Sequence, residues 1–159
     1  AIARALSINP KFIVLDEPTS LLDVSAQASI LNLIVSLQKR LGLTYLFISH
    51  NLAVVRFLSN RVGVMYCGKL VEMAESRVLY VAPKHPYTRA LLASVPVPDP
   101  EHQAEEIVLE GDVISPINPP KGCRFSPRCQ QYKEGCEKNE PPLFEIEPGH
   151  FVACHLFAS

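Results

Sequence analysis

The stretch FIVLDEPTSLLD, residues 12–23, decides the reading. Four apolar residues, Phe12 to Leu15, run directly into two adjacent carboxylates, Asp16 and Glu17, and then a proline. A short continuous apolar run of this kind predicts a strand buried in a parallel sheet. Acids at the C-terminal end of such a strand lie where open α/β folds place ligand chemistry. Successive side chains diverge, so one carboxylate can face a metal while the other faces a reacting water. Phosphoryl hydrolysis uses both groups. Taken alone, an Asp-Glu pair after an apolar run also marks a helix start or a solvated loop, and Asp23 alone is an ordinary N-cap.

Outward from this stretch, the first half alternates strand and helix. Val24 to about Arg40 reads as a helix, with Ile30, Ile34, Leu37 and Leu41 on one face, Asp23 as N-cap and Leu41-Gly42 as its end. LTYLFIS, residues 43–49, is a second buried strand. His50 falls just past it, in reach of a phosphate that Asp16 and Glu17 also approach. By itself such a histidine is as readily a partly buried structural one. Asn51 caps a short helix through about Leu58. RVGVMY and KLVEMA flank Cys67-Gly68 and predict a hairpin on the same sheet. A helix near Ser76 to Val81 follows, and Pro86 suits the first turn of another, PYTRALLASV. His85 and Thr88 read as the cap and start of that helix.

After Val95 the composition shifts. Ten of the 14 prolines and four of the five cysteines lie beyond it. PVPDPEHQ, residues 96–103, reads as a linker, and residues 107–114 as one short strand. The expected division is therefore 1–95 and 96–159. A tail with few core-forming segments needs another source of stability, and a metal would supply it. Cys123, Cys129, Cys136 and Cys154 are separated by five, six and seventeen residues, unlike the C-x-x-C pair of a zinc ribbon. Four thiolates suit tetrahedral zinc or an iron–sulfur cluster, with His150 and His155 as substitute ligands. Unrelated cysteines or two disulfides are the other reading, and the absence of a secretory signal favours metal. Arg124 and Arg128 offset thiolate charge or are simply solvated, and Cys67 has no assigned role. The net charge of −1 gives no bulk attraction to nucleic acid or to an anionic membrane. The longest uncharged stretch, 41–55, is too short and too polar to span a bilayer. A soluble, cytoplasmic chain is expected.

Together these segments resemble a known family. FIVLDEPTSLLD resembles the Walker B and D-loop segment of ABC-type ATPases, YLFISHNL their switch-histidine strand, and AIARAL the helix that follows their signature motif. HPYTRALL and NPPKGCRFSPRC…GHFVACHL resemble the ATP-binding subunits of dipeptide/oligopeptide (and nickel) importers. The resemblance spans essentially the whole chain. It implies the C-terminal half of an ABC-type P-loop ATPase domain, an α/β parallel sheet with helices, followed by a small irregular Cys-rich metal-binding tail. It assigns Asp16 to Mg²⁺ through water, Glu17 to the attacking water as catalytic base, and His50 to the γ-phosphate. Ser20 and Asp23 fall in the D-loop that faces a partner ATPase. It implies ATP and Mg²⁺ as ligands and a 4Fe–4S cluster at the four C-terminal cysteines, with zinc as the alternative.

The implied partners are a second ATPase subunit, identical or paralogous, two transmembrane permease subunits and, indirectly, an extracytoplasmic solute-binding protein. The implied place is the cytoplasmic face of the inner membrane, with no nucleic acid bound. Leu21 stands where the family has a small residue, and Asn51 where it has Asp. Two motifs are not found. There is no G-x-x-x-x-G-K-S/T phosphate loop and no Gly-rich signature. The chain is thus expected to be the C-terminal part of a subunit, to lack ATP turnover alone, and to self-associate through apolar surface left open. Two rival readings are an ABC-type ATPase of DNA repair or chromosome structure and a non-enzymatic metal-binding regulatory module. The first has no use for HPYT or the cysteine tail, and the second would need a basic face or recognition helix that is not found.

Overall fold

The computed structural model of the chain describes residues 2–95, 117, 119 and 121–157. The expected linker at 96–103 and the expected strand at 107–114 lie outside these residues. By internal contacts the chain forms two compact units, 1–59 and 60–159. The expected division after residue 95 falls at the edge of the undescribed segment.

In the first unit, β1 (Phe12–Asp16) and β2 (Thr44–Ile48) pair in parallel, in register from Phe12 opposite Thr44 to Asp16 opposite Ile48. Three helices accompany them: α1 (Ile2–Leu6), α2 (Val24–Leu41) and α3 (Leu52–Leu58). The connection through α2 is what a parallel pair requires. α2 starts where its sequence says it should. Asp23 is extended and its carboxylate accepts the backbone N–H of Ser25 and Ala26 at 3.0 and 2.9 Å. It ends at Gly42, whose φ of 62° is the left-handed conformation that costs glycine least. The core is Ile13, Leu15, Ile34 and Leu43, with residues of α1 and α2 packed around it.

Two expectations about this unit are corrected. The strands are not buried on both faces. Ile13 and Leu15 are inside, but Phe12 and Val14 of β1 and Leu46 and Ile48 of β2 are about half exposed. The core side chains lie on one face, so the pleat sends every other residue outward. On α2 the buried residues are Leu31 and Ile34, whereas Leu41, the last helical residue before Gly42, is exposed.

In the second unit, β3 (Arg61–Tyr66) and β4 (Lys69–Glu75) form the expected hairpin. Its turn residues Cys67 and Gly68 both have positive φ, 46° and 79°. That backbone matches the right-handed twist of the flanking strands. Contrary to the expectation from sequence, the hairpin does not extend the parallel sheet. It belongs to a separate antiparallel sheet of order β3-β4-β6-β5, with β5 (Phe144–Glu147) and β6 (His150–Val152) from the tail. α4 (Ser76–Val81) and α5 (Pro86–Ala93) fall where the sequence places them. Val64, Tyr66, Val71, Leu79, Phe125 and Val152 are buried. The tail is thus part of a packed fold, which its sparse apolar pattern did not suggest.

Candidate functional site

Glu17 follows β1 directly. Its backbone N–H donates to Ile48 O at 2.9 Å, which extends the ladder by one bond and ties the loop to the end of β2. Its φ is 43°, a conformation that non-glycine residues hold only under constraint from their surroundings. The constraint aims the carboxylate at the next strand. Glu17 Oε1 accepts the backbone N–H of His50 at 3.0 Å and lies 2.7 Å from His50 Nδ1. The hydrogen bond from the His50 side chain holds the Glu17 carboxyl below its ordinary range. Glu17 is therefore an ionised acceptor at neutral pH. The His50 ring is 80% exposed and the Glu17 side chain 35%, so both open to solvent.

The neighbouring residues complete the loop. Asp16 is exposed at the C-terminal end of β1, across from Ile48. Ser20 donates its hydroxyl to Glu17 O at 3.1 Å. Asp23 is held below its ordinary range, first by the Ala26 backbone N–H and next by the Ser25 hydroxyl. Thr19, absent from the sequence reading, is only 4% exposed and accepts from Gln27 Nε2 at 3.1 Å. It pins the loop to α2. Between Thr19 and Asp23, Leu21 projects fully into solvent. Asn51 caps α3 through Val54 N–H at 3.2 Å, as an aspartate would. Asp16, Glu17 and His50 are thus brought to one end of the parallel pair, on a loop braced from both sides.

Cys123, Cys129, Cys136 and Cys154 are thiols, none in a disulfide. The Cys123 and Cys136 loops meet through their backbones. Cys123 N–H donates to Cys136 O at 2.7 Å. A Cβ on Gly122 would stand 2.4 Å from that same carbonyl oxygen, so only glycine permits the approach. Burial, and after it the neighbouring thiols Cys123, Cys129 and Cys136, push Cys154 up to about 11. Among the described residues no three His, Cys, Asp or Glu side chains are grouped so as to hold a metal ion.

Other expectations for this region are corrected. His150 Nε2 donates to Glu72 at 2.8 Å and His155 Nε2 to Asn139 O at 2.9 Å, so those atoms are engaged away from the thiols. Arg124 reaches the carbonyl of Cys67 in the hairpin turn. Arg124 thus ties the cysteine loop to the hairpin.

The residue that sequence reasoning missed is Glu72. It is fully buried on β4. Its carboxylate accepts the backbone N–H groups of Lys84 and His85 at 2.8 and 2.9 Å and His150 Nε2 at 2.8 Å. His85 in turn caps α5 by accepting Tyr87 N–H at its Nδ1, 3.1 Å away. Burial pushes His85 down to about 4, against the opposing pull of Glu72. Tyr66, Tyr87, His85 and Phe125 stack about this point, with ring centroids 4.6 to 5.8 Å apart. HPYT is thus a structural junction between β4, α5, the cysteine loop and β6. A glutamate between Val71 and Ala74 in a strand was the available signal, because such a charge is buried only when paired.

An acid-ended strand parallel to a histidine-ended strand is the arrangement that the resemblance to ABC-type ATP-binding proteins implies. Residues 71–136 match the family described as the oligopeptide/dipeptide transporter, C-terminal region. The chain is 56% identical over 158 residues to YkfD of Bacillus subtilis, named for oligopeptide transport ATP binding, covering 98% of this chain and 48% of that protein. It is 54% identical over 159 residues to the oligopeptide transport ATP-binding protein AppF of the same organism, covering 99% and 48%. A peptide import ATP-binding protein of Brucella ovis is 55% identical over 153 residues, covering 96% and 48%. The chain is thus similar to the C-terminal region of peptide-transport ATP-binding proteins. It spans about half the length of the curated relatives it matches. Among the described residues no helix is long and apolar enough to cross a membrane.

Proposed function

We propose that the chain works as the C-terminal part of an ATP-hydrolysing subunit that drives uptake of dipeptides or oligopeptides. The observation that carries this is the contact of Glu17 with both the ring and the backbone N–H of His50, at the ends of adjacent parallel strands. In this reading Asp16 holds Mg²⁺ through water, Glu17 takes the proton of the attacking water or orients it, and His50 contacts the γ-phosphate. An ionised Glu17 suits the second task. Ser20 and Asp23 shape the loop that meets a second ATPase subunit, and Leu21 is the side chain that loop offers to it. The remaining partners are two permease subunits and, through them, a solute-binding protein, with the subunit peripheral on the cytoplasmic face of the membrane. The relatives, which are named for oligopeptide transport and peptide import, support the peptide substrate. The test is Glu17→Gln in a subunit of its relatives' length. ATP binding is retained and hydrolysis falls by roughly 10²-fold or more. Wild-type turnover in that variant removes Glu17 from the mechanism. The 159-residue chain alone is expected to show no ATP turnover. It is also expected to self-associate through the apolar face of Phe12, Val14, Leu46 and Ile48.

For the tail, the same reading assigns a 4Fe–4S cluster to Cys123, Cys129, Cys136 and Cys154. The support is the all-thiol donor set and the close approach that Gly122 allows between the Cys123 and Cys136 loops. A cluster takes each thiolate on a separate iron, so its ligands need not crowd one ion as those of zinc must. When bound, it would cross-link the loops. Iron, zinc and acid-labile sulfide measured per chain after purification without oxygen decide the matter. Iron with matching sulfide supports the cluster, zinc alone replaces it, and neither removes the metal.

A further inference from the structure

The second unit contains a cavity of about 180 Å³ between β4, the cysteine loop and the segment before β5. Its floor is apolar, from Leu70, Val71, Phe125 and Leu143. Its charged groups are Lys69, Arg124 and Glu140. We propose that this cavity binds a small monocarboxylate bearing a short branched aliphatic or phenyl group.

Size sets the first limit. An apolar cavity of roughly 150 Å³ is enough to hold benzene in a protein interior. A pocket of about 180 Å³, open on one side, therefore has room for one ring or one branched chain. Rigidity favours a preformed site. Phe125 is 1% exposed and locked by ring contacts with Tyr66 and Tyr87. Pro141 and Pro142 fix the backbone of the opposite wall. On the near wall, Ala153 N–H donates to Val71 O at 2.8 Å. Little ordering is left to oppose binding.

Charge sets the second limit. Lys69 Nζ pairs with Glu140 Oε1 at 2.7 Å, and both side chains are nearly half exposed. Such pairs are weak, so a ligand carboxylate can take the place of Glu140 on Lys69. Arg124 spends one N–H group on the Cys67 carbonyl, and a guanidinium has five. Two cations and one carboxylate leave one positive charge unmatched, which suits a monoanion. An amine would meet Lys69 and Arg124 with like charge.

The test uses the full chain, with 4-methylpentanoate and phenylacetate as probes and 4-methylpentanamide as the uncharged control, followed by two-dimensional amide NMR. The acids saturate in the submillimolar range, with shifts confined to residues 69–71, 123–125 and 140–143. The amide binds about tenfold more weakly. Lys69→Met, at an exposed position, removes that preference, and Leu143→Trp fills the cavity and abolishes binding of all three. Absence of saturation by either acid up to about 10 mM overturns the site. Equal binding of acid and amide, or an unchanged preference in Lys69→Met, overturns its selectivity for a carboxylate. The site stands independently of the ATPase reading.

Discussion

Replacing Glu72 with Gln tests whether the HPYT junction is held by one buried carboxylate. The side chain keeps its length and volume, so packing around it is unchanged. Its hydrogen-bonding capacity is not. The carboxylate accepts three N–H groups through two oxygens: Oε1 serves Lys84 N and His150 Nε2, and Oε2 serves His85 N. The amide has one oxygen, and its NH₂ group must face at least one of those donors. With Glu72 at 0% exposure, water cannot repair the mismatch. Losing one or two charge-assisted bonds at about 1.5–3 kcal/mol each, with buried donors left unpaired, gives about 3–5 kcal/mol. In a unit of this size each kcal/mol lowers the unfolding midpoint by about 4–8 °C, so a fall of about 12–40 °C is expected. Thermal unfolding followed by circular dichroism measures it. Amide exchange locates it, because the Lys84 and His85 protons, now protected by the carboxylate, should exchange much faster. A midpoint within about 2 °C of wild type, with unchanged exchange at Lys84 and His85, would refute the assignment of Glu72 as the anchor.

Three further outcomes follow from neighbouring groups. His85 is depressed to about 4 by burial, so its neutral form stabilises the fold at pH values above about 6.5 and that stability is lost as pH falls toward 4. Protonation would also occupy the Nδ1 that accepts Tyr87 N–H. The expected slope is at most about 1.4 kcal/mol per pH unit, and it should vanish in His85→Asn, which still caps the helix. Phe125→Ala removes a buried ring in contact with Tyr66, Tyr87 and His85, and should cost about 3–5 kcal/mol in denaturant titration. Gly122→Ala forces a Cβ against the Cys136 carbonyl, 2.4 Å away, and should lower bound iron several-fold while leaving the β3–β4 hairpin signals in place. Wild-type iron content in that variant would mean that the two loops need not meet for metal to bind.

The parallel pair, α2, α3, the hairpin and both later helices could be read from sequence because each carries a local signal. Asp23 and Gly42 bracket α2, Asn51 caps α3, and Cys67-Gly68 turns the hairpin. The acid pair and His50 were legible for the same reason, since each stands at the end of an apolar run. What was not legible depended on partners far along the chain. Glu72 is anchored by residues 84, 85 and 150, and no window of sequence contains all of them. The strands β5 and β6 are four and three residues long, too short for a periodic pattern, and they form because β4 offers an edge. The exposed faces of β1 and β2 were misread because an apolar run does not say how many of its faces are covered in a given chain.

The tail therefore has a different standing from the one its composition implies. A segment rich in proline and cysteine suggests that metal must replace a missing core. Here it supplies part of that core: Phe125, Val152, Ala153 and Cys154 are buried, and His150 pairs with Glu72 beneath the sheet. The β4–β6 pairing and the Glu72–His150 contact need no thiolate. The cysteine loops, by contrast, carry little regular structure beyond the short 3-10 helix at Ser126–Arg128. Cross-linking by a metal would matter most there, between residues 121 and 140. Through Phe125 and Arg124, the order of those loops bears directly on the hairpin turn and on HPYT.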